Sequence, residues 1–277
     1  MRQFIIDTEP DSKGLVYIEG KDFKYIRQVL RLCVGDMIKL SYRESVINAT
    51  VCSIDDSKKK ITLQVCDVKD SLAENKTVSS RPEFWLLQFI PKPQKMELII
   101  RQAVEAGVSV IVPVIGEYTQ KGAEKENIKK SLSNDGKQNR ISRIIKEARQ
   151  QSGSPVETKV FEPLSLKDAV KIVNEHISKV KQKNKEVIQI SLYERNEESK
   201  TVHEVVAEKM KLAEIGFGII AVGSEGGISP AEIKVLKDAG FSTVHFDVNI
   251  LRCETASLYG MASIQTVIME LPDYMGV

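Results

Sequence analysis

"EFWLLQFIPKPQKMELIIRQAVEAGVSVIVPVI", residues 83–115, is the stretch on which the fold turns. It opens with a short apolar run, "EFWLLQFI", too brief for a helix and rich in strand-forming side chains. "QKMELIIRQAVEAG" follows with apolar residues at helical spacing, and Gly107 supplies a left-handed stop. "VSVIVPVI" then begins at once as a β-branched run. Strand, helix, strand with short joints predicts a parallel α/β domain.

Downstream the pattern continues, with strands expected at "VIQISLY" (187–193), "FGIIAVG" (217–223) and "STVHFDV" (242–248). Helices fill the intervals, and a last helix is expected over about 255–271. Upstream the character differs. "LVYIEG", "DMIKLSY", "VINATVCSI" and "KITLQVCDV" are short, partly alternating and separated by charged turns, with one helical piece, "KDFKYIRQVLRL", between them. That suggests a small β-barrel with an inserted helix. "KDSLAENKTVSSRP" (69–82) loses apolar periodicity and reads as a linker. The expected division is a barrel domain over 1–72, a linker over 73–82 and an α/β domain over 83–277.

A chain of 277 residues with 42% hydrophobic content can bury a core of that size. Forty Lys and Arg against 38 Asp and Glu leave a net charge of +2, so any basic surface must be local. Residues 121–150 are such a region, with nine basic and four acidic side chains. In "QNRISRIIKEARQQSG", Ile141, Ile144, Ile145 and Ala148 keep core spacing, while Arg140, Arg143, Lys146 and Arg149 lie off it. This face suits either plain solvation or RNA phosphate.

Four cysteines without a Cys-x-x-Cys pair and three scattered histidines argue against a metal site or a disulfide framework. The N-terminus "MRQFIIDTEP" has no basic stretch followed by an apolar run, and no segment is apolar for membrane-spanning length. A cytoplasmic protein without a membrane partner is expected.

In "AVGSEGGISPAE" (221–232), Ser229 can cap a helix, Pro230 suits its first turn and Glu232 completes a capping box. The loop therefore joins a strand end to a helix start, where open α/β sheets hold ligands, and Gly223, Gly226 and Gly227 permit close backbone approach. Neither phosphate-loop pattern occurs, and Glu225 would repel phosphate, so a neutral or cationic ligand fits better. Just beyond, "NILRCETASLYG" places Arg252, Glu254 and Thr255 where the last strand meets the last helix. Arg252 and Glu254 could there form no more than a local ion pair.

Together, "YIRQVLRLCVGD", "PKPQKMELIIRQAVEAGVSVIVPV", "EARQQSG", "AVGSEGGISPAEI" and "NILRCETA" resemble the RsmE-type enzymes of the SPOUT methyltransferase superfamily, over nearly the whole chain. The resemblance implies a PUA-like β-barrel for RNA, then a SPOUT-type parallel sheet with a C-terminal trefoil knot. It implies S-adenosylmethionine-dependent methylation of the N3 nitrogen of a uridine in small-subunit ribosomal RNA, by a homodimer. Cofactor contacts would come from three loops: Leu192, Tyr193 and Glu194; Gly223, Ser224, Glu225, Gly226 and Gly227; and Phe246, Asp247, Val248, Ile250 and Leu251.

Loss of the N3 proton puts negative charge on uracil in the transition state, and a fixed guanidinium stabilises it. Arg252 is the candidate, with Glu254 orienting it and Thr255 offering a hydroxyl. Candidate RNA contacts are Arg2, Arg27 and Arg31 in the first domain and Arg140, Arg143 and Arg149 on the basic helix. The chain departs from the family pattern at Ser224 (Pro), Asp247 (Gly), Asn249 (Arg), Ser154 (Arg), Gln102 (basic) and Tyr25 (often His). These changes bear on substrate choice more than on fold. A SPOUT enzyme acting on another RNA nucleotide, and a non-catalytic RNA-binding ribosome assembly factor, remain open alternatives, which cofactor binding and nucleoside analysis separate.

Overall fold

The computed structural model describes residues 3–6, 8–42, 45–66, 81–119, 140–194 and 199–275. Arg2, most of the segment read as a linker and the 121–139 part of the basic region lie outside the described residues. The chain forms two compact units, Met1–Arg81 with Arg149–Glu157, and Pro82–Ala148 with Thr158–Val277.

The first unit holds a five-stranded sheet of β1 (Gln3–Ile5), β2 (Leu15–Glu19), β3 (Met37–Tyr42), β4 (Ser45–Asp55) and β5 (Lys60–Val65), in the order β1-β3-β4-β5-β2. β1 runs parallel to β3, and the other pairs are antiparallel. Alternate residues turn inward, among them Val16, Ile18, Ile38, Leu40, Ile61 and Leu63, as a pleat with one buried face requires. The helical piece between β2 and β3 is not one regular helix. α1 (Gly20–Lys24) widens into a π-helical turn, Tyr25–Leu30, which closes at Arg31 in the left-handed region (φ 53°, ψ 42°). Phe23 and Ile26 are thereby buried, while Val29 is left exposed.

The second unit is an all-parallel sheet covered on both faces. Its strands are β6 (Glu83–Phe89), β7 (Val110–Ile115), β8 (Lys159–Val160), β9 (Leu164–Ser165), β10 (Glu186–Leu192), β11 (Ile215–Val222) and β12 (Ser242–Val244). The order is β12-β10-β11-β6-β7-β8, with β9 also on β7. One face packs under α2 (Pro93–Glu105), α3 (Arg140–Ser152), α5 (Val202–Met210) and α7 (Cys253–Met275). The other lies under α4 (Leu166–Lys181) and α6 (Pro230–Asp238).

Successive strand residues feed opposite cores: Leu86 and Ile111 one, Leu87 and Val112 the other. Burial on both sides is why these strands read as unbroken apolar runs. On α3, Ile141, Ile144 and Ala148 are buried, as their spacing predicts. The last strand is shorter than its sequence suggests. β12 ends at Val244, and Asp247–Ile250 are exposed irregular chain before α7 begins at Cys253. Among the described residues no helix is long and apolar enough to cross a membrane, and no group of three or more metal-ligand side chains gathers.

Candidate cofactor pocket and active site

The carboxyl ends of β10, β11 and β12 open onto one cavity of about 390 Å3. That volume lies within the roughly 300–1,000 Å3 usual for small-molecule sites. All the cofactor candidates read from the sequence line it except Gly226 and Asp247, and Lys95, Val222, Ile228, Val244, His245, Asn249, Arg252, Cys253 and Ala256 join them.

The glycine loop is a tight turn. The Gly227 N–H donates to the Ser224 carbonyl at 3.0 Å, and Gly227 has φ +77°. A Cβ on Gly223 would come within 2.6 Å of the Gly227 carbonyl carbon. Gly226 faces away from the cavity, where a Cβ would meet Tyr118 Cβ at 2.8 Å. Beyond the loop, Ser229 and Glu232 form the expected capping box of α6, with bonds of 3.3 and 2.9 Å. The other Glu232 oxygen accepts the Glu117 N–H at 2.7 Å, fastening the segment after β7 to the helix start. Buried Gln88 supports the loop from below: its Nε2 donates to the carbonyls of Phe89, Val222 and Gly223 at 2.9, 3.3 and 3.1 Å.

The polar groups at the β12–α7 junction are arranged differently from the sequence expectation. Arg252 is exposed on the cavity wall and has no side-chain partner among the described residues. Glu254 neither lines the cavity nor orients Arg252. Its Oε2 lies 3.2 Å from Lys95 Nζ and accepts the Cys253 thiol at 3.2 Å. The reason is reach: α7 starts at Cys253 and turns Glu254 toward α2, away from the preceding arginine. Thr255 is exposed and also stands off the wall. The Glu225 carboxylate lines the cavity while accepting the Lys92 N–H at 3.2 Å, with Lys95 Nζ at 3.6 Å.

Burial pushes the Cys253 thiol up to about 12, reinforced by Glu254 and Glu225, so it stays protonated. Burial also raises the Glu254 carboxyl, yet its own backbone N–H, the Cys253 thiol and Lys95 together bring it below its ordinary value. His245 on the wall has Nδ1 3.3 Å from the Tyr193 carbonyl.

Lys95, Cys253 and Gln88 escaped the sequence reading. Lys95 was within reach of it, because "PKPQK" starts a helix at the carboxyl end of β6, the same edge of the sheet that carries the other loops.

The candidate RNA contacts differ in how each is held locally. Arg27 is held by Asp56 through two 3.2 Å bonds and donates to the Leu32 carbonyl. Arg31 is exposed. Arg140 pairs with Glu97, its Nη2 donating at 2.9 Å, and Arg143 Nε lies 3.8 Å from Glu147 one turn along α3. Arg149 is a correction: it is only 6% exposed, its Nη2 donates to the Pro155 carbonyl at 3.3 Å, and burial lowers its pKa. It does not belong to a solvent-facing basic stripe, because α3 ends three residues later and Gly153, at φ +75°, folds the chain back over it.

The sequence pattern of a known family, described as RNA methyltransferase domain, matches residues 79–265. A protein named ribosomal RNA small subunit methyltransferase E 2 from Borreliella burgdorferi is 25% identical over 285 residues, covering 100% of both chains. Ribosomal RNA small subunit methyltransferase E from Aquifex aeolicus is 30% identical over 175 residues, covering 63% of this chain and 62% of its own. The solved structure of ribosomal RNA small subunit methyltransferase E from Neisseria gonorrhoeae, bound to S-adenosyl methionine, superposes with a TM-score of 0.72. At 21% identity over 96% of this chain and 98% of that one, the likeness shows a common fold. With the parallel sheet, its strand-end cavity and the sequence match converging on the same residues, this chain belongs to the RNA methyltransferase domain family.

Proposed function

We propose that the protein transfers a methyl group from S-adenosylmethionine to the N3 nitrogen of a uridine in small-subunit ribosomal RNA. The observation that carries this reading is Arg252, a guanidinium without a side-chain partner among the described residues, on the wall of a strand-end cavity, in a chain whose relatives are named for small-subunit RNA methylation. The wall residues suit the cofactor. Leu192, Val222, Val244 and Phe246 offer apolar surface for a purine, the loop backbone can approach closely, and Glu194 and Glu225 favour a cationic sulfonium over phosphate. When bound there, S-adenosylmethionine supplies the electrophilic methyl group.

The chain's own contribution is electrostatic and geometric. Uracil N3 becomes nucleophilic as its proton passes to solvent water, and the charge spreads to the flanking carbonyl oxygens. Arg252, exposed on the cavity wall, is the cation assigned to that charge in this reading. The uridine must be unstacked to enter, so a single-stranded or flipped base is the expected substrate. The sheet of the first unit is read as a PUA-like RNA-holding module, and the segment from β11 onward as the knotted part of a SPOUT domain. A homodimer is part of the reading, supported by Leu258, Tyr259 and Met269 on α7 and Leu98 on α2, all 40% exposed or more.

Incubating the protein with small-subunit RNA and isotopically labelled S-adenosylmethionine, then digesting the RNA for mass spectrometry, tests the proposal. Label in 3-methyluridine at a single site is expected. Label in another nucleoside moves the protein to a different target, and no transfer to RNA overturns the reading.

A further inference from the structure

Lys95 stands in the first turn of α2, and its ammonium meets acidic groups from two different elements, the glycine loop and the start of α7. Nζ lies 3.2 Å from Glu254 Oε2 at the start of α7 and 3.6 Å from Glu225 Oε1 in the glycine loop. Each carboxylate has a second anchor. Glu225 Oε1 accepts the Lys92 N–H at the amino end of α2, where the helix dipole favours negative charge. Glu254 Oε2 accepts the Cys253 thiol. The three side chains are 27%, 33% and 15% exposed, so these pairs are less screened than ordinary surface ion pairs.

Burial opposes the charge on Lys95, but Glu254 and then Glu225 help raise its pKa above the ordinary value. The ammonium therefore persists at neutral pH and bridges elements that arrive from β11 and β12 separately.

We propose that Lys95 is a positioning residue that clips the glycine loop to the β12–α7 junction, and so sets the spacing between the wall carrying Glu225 and the wall carrying Arg252. The proposal rests on the methyl-transfer reading of this cavity. Without the ammonium, two carboxylates face each other through the place it vacates, and the loops separate by mutual repulsion. Arg252 is joined directly to Cys253, so a displaced junction carries the guanidinium with it. A misplacement of about 1 Å costs on the order of 100-fold in rate when a reaction depends on fixed geometry.

Lys95→Met removes the charge and keeps most of the stem, while Lys95→Arg keeps a cation at the same point. Calorimetric titration with S-adenosylmethionine, needing no RNA and no turnover, is paired with single-turnover methyl transfer to small-subunit RNA. K95M is expected to bind the cofactor about tenfold more weakly, the effect of losing roughly 1.4 kcal/mol of pairing. At saturating cofactor and RNA it should transfer methyl groups about 100-fold more slowly. K95R should recover most of both, and RNA affinity should stay within about threefold of wild type, since Lys95 contacts protein carboxylates and not phosphate. In the double variant K95M/E254Q the losses should not multiply, because both changes break one unit.

K95M with wild-type cofactor affinity and rate overturns the proposal, as do multiplying losses in the double variant. If K95M folds poorly, Glu254→Gln, whose carboxylate stands off the cavity wall, opens the other end of the clip. Weakened cofactor binding in E254Q supports the proposal, and unchanged binding overturns it. A wild-type protein that binds S-adenosylmethionine but methylates no small-subunit RNA ends the functional reading instead, and the cofactor titrations still decide the role of Lys95.

Discussion

Ser257 Oγ donates to Gln88 Oε1 at 2.7 Å, and neither side chain is exposed to solvent. The bond joins the first turns of α7 to the end of β6, and the amide nitrogen of the same glutamine holds the carbonyls of Val222 and Gly223. One buried amide therefore sets the height of the glycine loop relative to the last helix. Gln88→Leu should destabilise the fold by about 1–3 kcal/mol for each buried carbonyl left without a donor. Urea unfolding measures the loss, and a variant as stable as wild type would mean that the loop carbonyls find other donors.

Arg252→Ala should cost about 3 kcal/mol of transition-state stabilisation, the scale of one donor aimed at a developing anion. Cofactor affinity should hold, because the loops carrying Glu194 and Gly223 are untouched. Single-turnover transfer measured beside cofactor titration checks both halves. Normal turnover would remove Arg252 from the chemistry.

Gly223→Ala places a methyl group 2.6 Å from the backbone of Gly227, which no side-chain rotation relieves. The turn must open, at about 1–3 kcal/mol, and cofactor binding should weaken more than thermal stability. Isothermal titration and melting of the same sample separate the two effects.

The Lys95–Glu254 pair gives a pH dependence of known direction. Glu254 is held below its ordinary 4.5, so its contribution is complete above that value and disappears as pH falls through the lowered one. Lys95 is raised above 10.5, so its share is present below that value and lost as the solution becomes more alkaline. Glu254→Gln should flatten the acid limb of melting temperature against pH. An unchanged acid limb would show that other carboxylates govern acid unfolding.

Of the candidate RNA contacts among the described residues, Arg31, Arg140 and Arg143 are exposed. Charge reversal at Arg31 and Arg143 should weaken binding and reduce the slope of log affinity against log salt by about 0.7 per lost contact with single-stranded phosphate. Arg149→Ala should instead lower stability without changing that slope, since its guanidinium is buried against the Pro155 carbonyl.

The second unit was legible because burial on both faces writes long apolar runs into the sequence, and because Ser229 and Glu232 mark a helix start by a local rule. β1 was not legible: three residues carry too little pattern, and it is held by pairing with the distant β3. The end of β12 was overread, since "HFDV" keeps strand-like composition after its ladder partners have run out at Leu192. Within the site, residues near each other in sequence were found as loops. The pairing of Glu254 with Lys95, 159 positions earlier, depends on helix placement that no local spacing encodes.

The strand order has a consequence for synthesis. β10 leaves the ribosome before β11, yet it is β11 that lies between β10 and β6, along ladders running from Glu186↔Ile215 and Glu83↔Phe217. A nascent chain ending before Ile215 has no strand to link β10 to the β6–β7–β8 ladder, and the cavity walls exist only once the C-terminal quarter has emerged. Such late, long-range closure slows folding. Ribosome-arrested chains halted before Ile215 should stay protease-sensitive throughout β10, and chains carried past α7 should become resistant in one step; early resistance of β10 would show that it docks without its neighbour.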